Sequence, residues 1–441
     1  MIIPLGIGAY KRTAAFAPEV VCLNFLLEPD KSGISPDKIV RVQRPGLLSV
    51  GKRGTGPVQA IDNRPSTGAQ LVVSGGRLFD GGLDKGFVGG ARIVPLAGTL
   101  FHHAILGDRL YLYDGTLTPV AMPDDAPPIV DIEQLNGYIL ILTETGRFYW
   151  IVPGETTVDP LAFANAESSA DKGVAIRRIG DEFWIFGTRT IEPWQATGDD
   201  LAPFQRALGR LYERGCKARD TVRRFDNSLM WVGDDNEVYR GGEVPQVVSD
   251  PGLAERIRRA SGQPMSAWTF GLDGHEFYAL NIGSEGTFVF DALVNAWAEF
   301  SSGSTAGWLA YVGNQEGGDV SAGDEGGNLY RVTPDAATDN GTAFPRTLTA
   351  TVPLMGKPPR NDSVTIGVGS DTDVTIRFRW KDGQEPFPVG YYDEMLARAP
   401  LDVATIYRLG QPDQPYRTFE VSVVEPVAVR ISGMFANEGW K

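Results

Sequence analysis

From residue 374 to 381, Val374, Ile376, Phe378 and Trp380 alternate with Thr375, Arg377, Arg379 and Lys381. A period of two belongs to a strand with one face buried. Phe419, Val421 and Val423, then Val427, Val429 and Ile431, repeat the pattern, with Glu425-Pro426 predicted as the turn between two paired strands. Two stretches instead predict short helices. Leu208, Leu211, Tyr212 and Cys216 follow helical spacing over about 207–216, and a second stretch covers 253–260. Neither alternates regularly with strands, which argues against a parallel α/β sheet.

The strands come in a loose repeat: a short apolar strand, a turn rich in Gly, Asp and Asn, then an aromatic-rich strand. Copies lie at 107–120, 135–151, 179–194, 225–241, 272–291 and 320–332, and a further candidate hairpin, at 71–82, stands at the head of the series. From the third copy the spacing is roughly 44–50 residues, the length of a four-stranded propeller blade. The expectation is an all-β fold: a β-propeller of about six blades, or seven if the first hairpin completes the last blade. Residues 1–65, with nine Lys/Arg against five Asp/Glu, predict an extended N-terminal arm. The propeller is placed at 66–335. Residues 336–441 restart after a turn-rich linker as a C-terminal antiparallel β unit, either a distal nozzle or an outer rim.

Composition supports a turn-rich globular chain. Of 441 residues, 53 are Gly and 30 Pro, yet 42% are apolar, so neither disorder nor a collagen-like fibre fits. A net charge of −14 argues against a protein that coats DNA generally. Cys22 and Cys216 cannot build a disulfide framework, and no Cys-x-x-Cys pair is present to hold zinc. No apolar run approaches the ~18 residues of a membrane span, and the opening residues lack the pattern of a secretory signal.

The candidates for chemistry are weak. Gly46 to Lys52 has the spacing of a phosphate-binding loop, but Arg53 stands where the magnesium-holding hydroxyl belongs, so a turn in the arm is the better reading. The pairs Asp124-Asp125, Asp199-Asp200 and Asp234-Asp235 sit beside turn residues, where Asp bonds its own backbone. Residues 321–330 resemble one degraded Asp-box turn of the sialidase propellers. His102, His103 and His275 are the only histidines, too few and too scattered for a triad or a zinc site. Cys216, between basic neighbours, reads as a packing residue. No catalytic, cofactor or metal site emerges.

The charge anomaly is 206–224, where Arg206, Arg210, Arg214, Lys217, Arg219, Arg223 and Arg224 face only Glu213 and Asp220. It reads either as a solvated helix face or as a subunit contact or lining for a passing phosphate backbone.

Across 188–249 an ordered set of short motifs carries a resemblance. These are Thr190-Ile191-Glu192-x-Trp194, Thr197-Gly198, Pro203-Phe204, Gly215-Cys216-x-Ala218, Asp226-Asn227, Trp231, Gly233-Asp234 and Gly242-x-x-Pro245. Gly274-His275-x-Phe277-Tyr278, Asp291 and Trp297 follow, and Pro160-Leu161-x-Phe163-Ala164 precedes. The chain resembles the packaged-DNA stabilisation proteins, the tail hub or nozzle proteins of short-tailed bacteriophages. The resemblance implies a non-enzymatic virion structural protein, made in the host cytoplasm, that forms a homo-hexamer below the portal and its head-to-tail adaptor ring. Such a ring closes the DNA exit channel with a needle or plug, retains the packaged double-stranded DNA and passes it on ejection; tailspikes or fibres are further partners. The same resemblance gives Trp194 and Trp231 as core aromatics, Gly215 and Gly274 as turn formers, and His275 as a satisfied polar side chain. Thr190, Glu192, Cys216 and Tyr278 are implied to be structural. The basic cluster would then face acidic surface on a neighbour. A cellular β-propeller scaffold and a glycan-acting propeller enzyme are the alternatives.

Overall fold

A computed structural model describes the chain except residues 1, 4, 12–18, 66, 91, 97–99, 167–170, 201, 243, 304, 354–362, 412–413 and 438–441. Strands built from β-branched and aromatic residues are joined by tight turns. At several two-residue turns both central residues take positive φ, as at Asn136-Gly137 (50° and 85°) and Asp273-Gly274 (52° and 84°). That is the twist a two-residue hairpin requires, and Asn, Asp and Gly adopt it at least cost.

Five four-stranded antiparallel sheets follow one another along the chain, at 58–87, 92–119, 129–165, 173–206 and 223–247, and a sixth set of four antiparallel strands, at 265–300, continues into a larger sheet. A seventh comprises Val312–Glu316, Asp319–Gly323 and Asn328–Thr333, and takes its outer strand, Gly46–Lys52, from far upstream. The innermost strands touch in a closed cycle, each against the next and the last against the first. The fold is therefore a seven-bladed β-propeller, and the count of six is corrected to seven. The hairpin at 71–82 belongs to a complete first blade, and the strand that closes the last blade is Gly46–Lys52. Apolar clusters fill the gaps between blades: Leu71, Val73, Ile93 and Ile105 lie between blades 1 and 2, Val58, Val72 and Leu329 close the gap from blade 7 to blade 1, and the cluster between blades 6 and 7 runs on into the C-terminal region.

The C-terminal region is a two-sheet sandwich, and the N-terminal segment is woven into it. In one sheet Cys22–Leu23 runs between the outer strand of blade 6, Ala296–Phe300, and Arg346–Pro353; Tyr416–Val423, Val374–Asp382 and Asp393–Ala397 follow. In the other, Phe25–Pro29 and Ile39–Gln43 pair on to Val429–Ala436, Ser363–Ser370 and Leu401–Tyr407. Between them Ile366, Ile376, Phe378, Phe419, Ile431 and Met434 form one dry core. The expected arm at 1–65 is thus replaced, over its described residues, by strands of the sandwich, of blade 7 and of blade 1. The unit at 336–441 shares a sheet with blade 6. Glu425-Pro426 does not join paired strands either: the strands before and after it lie in opposite sheets.

One expected helix forms, Pro251–Arg259, capped by Asp250, whose carboxylate accepts from the amides of Gly252 and Leu253. The other, at 207–216, does not. Tyr212 exchanges both backbone hydrogen bonds with Ile191, the amide of Cys216 donates to Gly187, and Leu208 is 89% exposed. Bonding to blade 4 outcompetes the local helix, and Gly209, at a φ of 75°, breaks it.

Candidate functional site: the basic segment and the central cavity

The motif residues pack blades and cap turns. Asp171 accepts from the amides of Thr188, Arg189 and Thr190 and from the hydroxyls of Thr188 and Thr190. Burial pushes its carboxyl up, and these bonds outweigh that and hold it below the ordinary carboxylate range. Gly215 passes so close to this turn that a Cβ would stand 2.1 Å from the Thr188 carbonyl oxygen; its need for glycine is close approach rather than a turn at positive φ. Glu192 and Trp194 are buried in the third strand of blade 4, with Trp194 edge-on to Phe148 at 4.9 Å. Trp231 stacks on Tyr239 at 5.6 Å and meets Phe186 edge-on at 5.3 Å. Gly274 makes the hairpin turn. His275 is buried, its Nδ1 2.7 Å from Asp291 Oδ2, and stacks on Phe277. The Cys216 thiol is pushed up to about 12 by burial, which keeps it protonated and unreactive.

The other sequence candidates resolve into structure. Gly46 to Lys52 is an extended strand and cannot cradle a phosphate. Asp234 accepts from the Gly215 amide, and Asp235 from the Tyr239 hydroxyl and the Glu237 amide. Asp124-Asp125 and Asp199-Asp200 stand exposed at loops. Asp324, in the Asp-box-like turn, accepts from the amides of Gly326 and Asn328 and from the Tyr330 hydroxyl. No group of His, Cys, Asp and Glu fit for a metal occurs among the described residues, and no helix among them is long and apolar enough to cross a membrane.

The seven basic residues do not form one face. Arg206 is exposed on the outer strand of blade 4, and Arg224 is exposed in blade 5. Arg210 forks on to Glu182 at 2.6 and 2.8 Å, Arg214 reaches Asp235 at 3.8 Å, and Lys217 donates to Asn236 Oδ1 at 2.5 Å. Arg219 and Arg223 turn the opposite way, into the middle of the propeller.

There a cavity of about 710 Å³ lies against the inner strands of blades 1, 2, 5, 6 and 7. Near it, charged side chains from the inner strands of blades 2 to 4 tie the blades together. Arg92 lies 3.4 Å from Asp131 Oδ1 and 3.3 Å from Glu133 Oε2. Arg177 pairs with Asp131 and donates to the carbonyls of Val222 and Arg219. Arg219 bonds Asp220 at 3.0 and 3.1 Å and the Val130 carbonyl at 3.0 Å. Across the cavity, burial raises the Asp62 carboxyl to about 6, and His103, buried 3.7 Å from it, is lowered to about 4. The sequence gives no sign of this arrangement, because its members come from different blades.

Among solved structures, the computationally designed Ika8 protein aligns at 12% identity and a TM-score of 0.40, over 74% of this chain and 100% of its own. BamB from Moraxella catarrhalis aligns at 10% and 0.41, over 75% and 98%, and U3-55K at 10% and 0.43, over 66% and 99%. These likenesses are too distant to carry a function. No curated protein matches the chain. A family model described as "Bacteriophage P22 Gp10, beta-propeller" matches residues 1–337, which takes in the strand that closes blade 7 and all seven blades. With all seven blades inside that span, the chain belongs to this family of phage stabilisation proteins.

Proposed function

We propose that the chain is a structural subunit of the phage tail hub: a hexameric ring below the portal and adaptor that closes the DNA exit channel, retains the packaged genome and passes it on ejection. The observation that carries this reading is the family match over residues 1–337, which contains all seven blades. The motif residues fit a scaffold better than an enzyme, since the buried ones pack blades and the others hold turns. The adaptor ring, a needle or plug and tailspikes or fibres are its partners, and the virion is its place.

The charge distribution supports the role. Six copies would carry about six times −14, and an acidic channel wall repels DNA phosphates and lets the genome slide. Arg206 and Arg224, exposed on blades 4 and 5, are placed to meet acidic surface on a neighbour or partner. Disrupting the gene tests the reading. Heads made without this chain are expected to package DNA and then lose it, and complementation restores retention. Full, stable heads in its absence would overturn the proposal.

A further inference from the structure

Three arginines, Arg92, Arg219 and Arg223, line the central cavity with three carboxylates, Asp62, Asp220 and Glu325, and among the described residues Arg223 is the arginine of the three with no ion pair. Arg92, Arg177 and Arg219 are matched by Asp131, Glu133 and Asp220. The Arg223 guanidinium donates to the Val222 carbonyl at 3.0 Å, and among the described residues no carboxylate stands within ion-pair distance of it. Arg223 nevertheless lines the cavity, with Arg92 and Arg219 lining it as well. Burial, reinforced by the charges of Arg177 and Arg92, pulls the Arg223 guanidinium down to about 9. A cation under that repulsion gains from an anion beside it.

The segment that carries these arginines is held in place before any ligand arrives. Arg219 opens a single turn, Arg219–Thr221, and Arg223 begins the inner strand of blade 5. Tyr278 donates to the Thr221 carbonyl at 2.8 Å, Arg177 clamps the carbonyls of Val222 and Arg219, and the Thr221 hydroxyl donates to Ala218. Guanidinium forks fixed in this way match the oxygens of a phosphate. Tyr278, a motif residue, acts here as a positioning residue.

We propose that the central cavity is a binding site for a small phosphate oxyanion, held by Arg223 and Arg219 with Arg92 beside them. Asp220 shares that wall and stays with Arg219, and Asp62 and Glu325 also line the cavity, so the anion sits toward Arg223. A DNA duplex is far too wide for a cavity of about 710 Å³, so the occupant is a free small phosphate rather than the packaged genome.

The test is isothermal titration of the full chain with phosphate, pyrophosphate and tripolyphosphate at constant ionic strength, with a thymidine dinucleotide and chloride as further arms. Saturable binding is expected, tightening with phosphate number. It should weaken about tenfold or more in Arg223→Gln, in line with the loss of a charge-assisted hydrogen bond, and be unchanged in Arg206→Gln. Should Arg223→Gln fail to fold, Arg219→Gln serves, together with phosphorus NMR line broadening on the unaltered chain. Absence of saturable binding, or equal binding by the arginine variants, overturns the site. Tighter binding of the dinucleotide than of tripolyphosphate overturns the free-phosphate source. The proposal does not depend on the tail-hub reading.

Discussion

Arg44 and Asp339 form a bidentate pair, at 3.0 and 2.6 Å, with neither side chain exposed to solvent. The pair links the residues just before the closing strand of blade 7 to the chain leaving that blade. Arg44 also donates to Asn24 Oδ1 and to the Ser301 and Pro45 carbonyls, and lies over the Phe344 ring at 3.8 Å. One guanidinium thus joins the N-terminal segment, blade 6 and the start of the sandwich. Asp339→Ala leaves that cation buried and unpaired and should cost about 3–5 kcal/mol. The denaturant midpoint measures it, and the double variant Arg44→Met, Asp339→Leu should recover part of the loss.

Gly215→Ala probes the crossing from blade 4 to blade 5. The new methyl meets the backbone of Thr188 and Arg189, in a turn, 188–190, that five hydrogen bonds to Asp171 hold in place. A loss on the order of 2 kcal/mol is expected, because backbone rather than a flexible side chain must give way. Gly318→Ala, with nothing near its Cβ and no positive φ, is the control and should leave the melting temperature almost unchanged.

Asp62 makes stability depend on pH. Its carboxyl is raised from 3.8 to about 6, chiefly by burial and further by Glu316, against the amide of Asn63, Arg92 and Asn314. A raised folded value means that the stabilising contribution is whole below about 4 and is lost as pH rises through 6. Asp62→Asn should therefore be more stable than the parent at pH 8, by on the order of 2 kcal/mol, with the difference fading toward pH 4. Buried His103, 3.7 Å away, has the opposite slope, its contribution being lost as pH falls from 6.5 toward 4. Thermal melts of the two proteins across pH 4–8 decide this, and a gap that widens on acidification would contradict it.

Charge reversal separates the basic residues by position. Arg206→Glu with Arg224→Glu changes exposed side chains and should leave the melting temperature within about 1 °C while lowering assembly on to the adaptor and particle infectivity. Arg210→Glu breaks the fork to Glu182 and should destabilise the chain itself.

The hairpins were legible in the sequence because their partners are neighbours: at 129–143 and 265–282 the paired strands flank the Asn136-Gly137 and Asp273-Gly274 turns directly. The pairing of Gly46–Lys52 with Asn328–Thr333 leaves no local trace, so the same residues read as an arm and the blade count fell one short. Tyr212 and Cys216 kept helical spacing by coincidence; their backbone partners, Ile191 and Gly187, are more than one turn of helix away. The basic run was visible as composition. That Arg219 and Arg223 turn inward while Arg206 and Arg224 remain outside depends on where blade 5 begins, which composition does not encode.

The central claim is membership of the virion as a ring of fixed size. Quantitative mass spectrometry of purified tailed particles, with the portal protein as reference, measures it directly. A hub of closed symmetry below a portal of twice its copy number predicts a ratio of about one to two. Absence of the chain from particles, or hundreds of copies in each, would contradict the account.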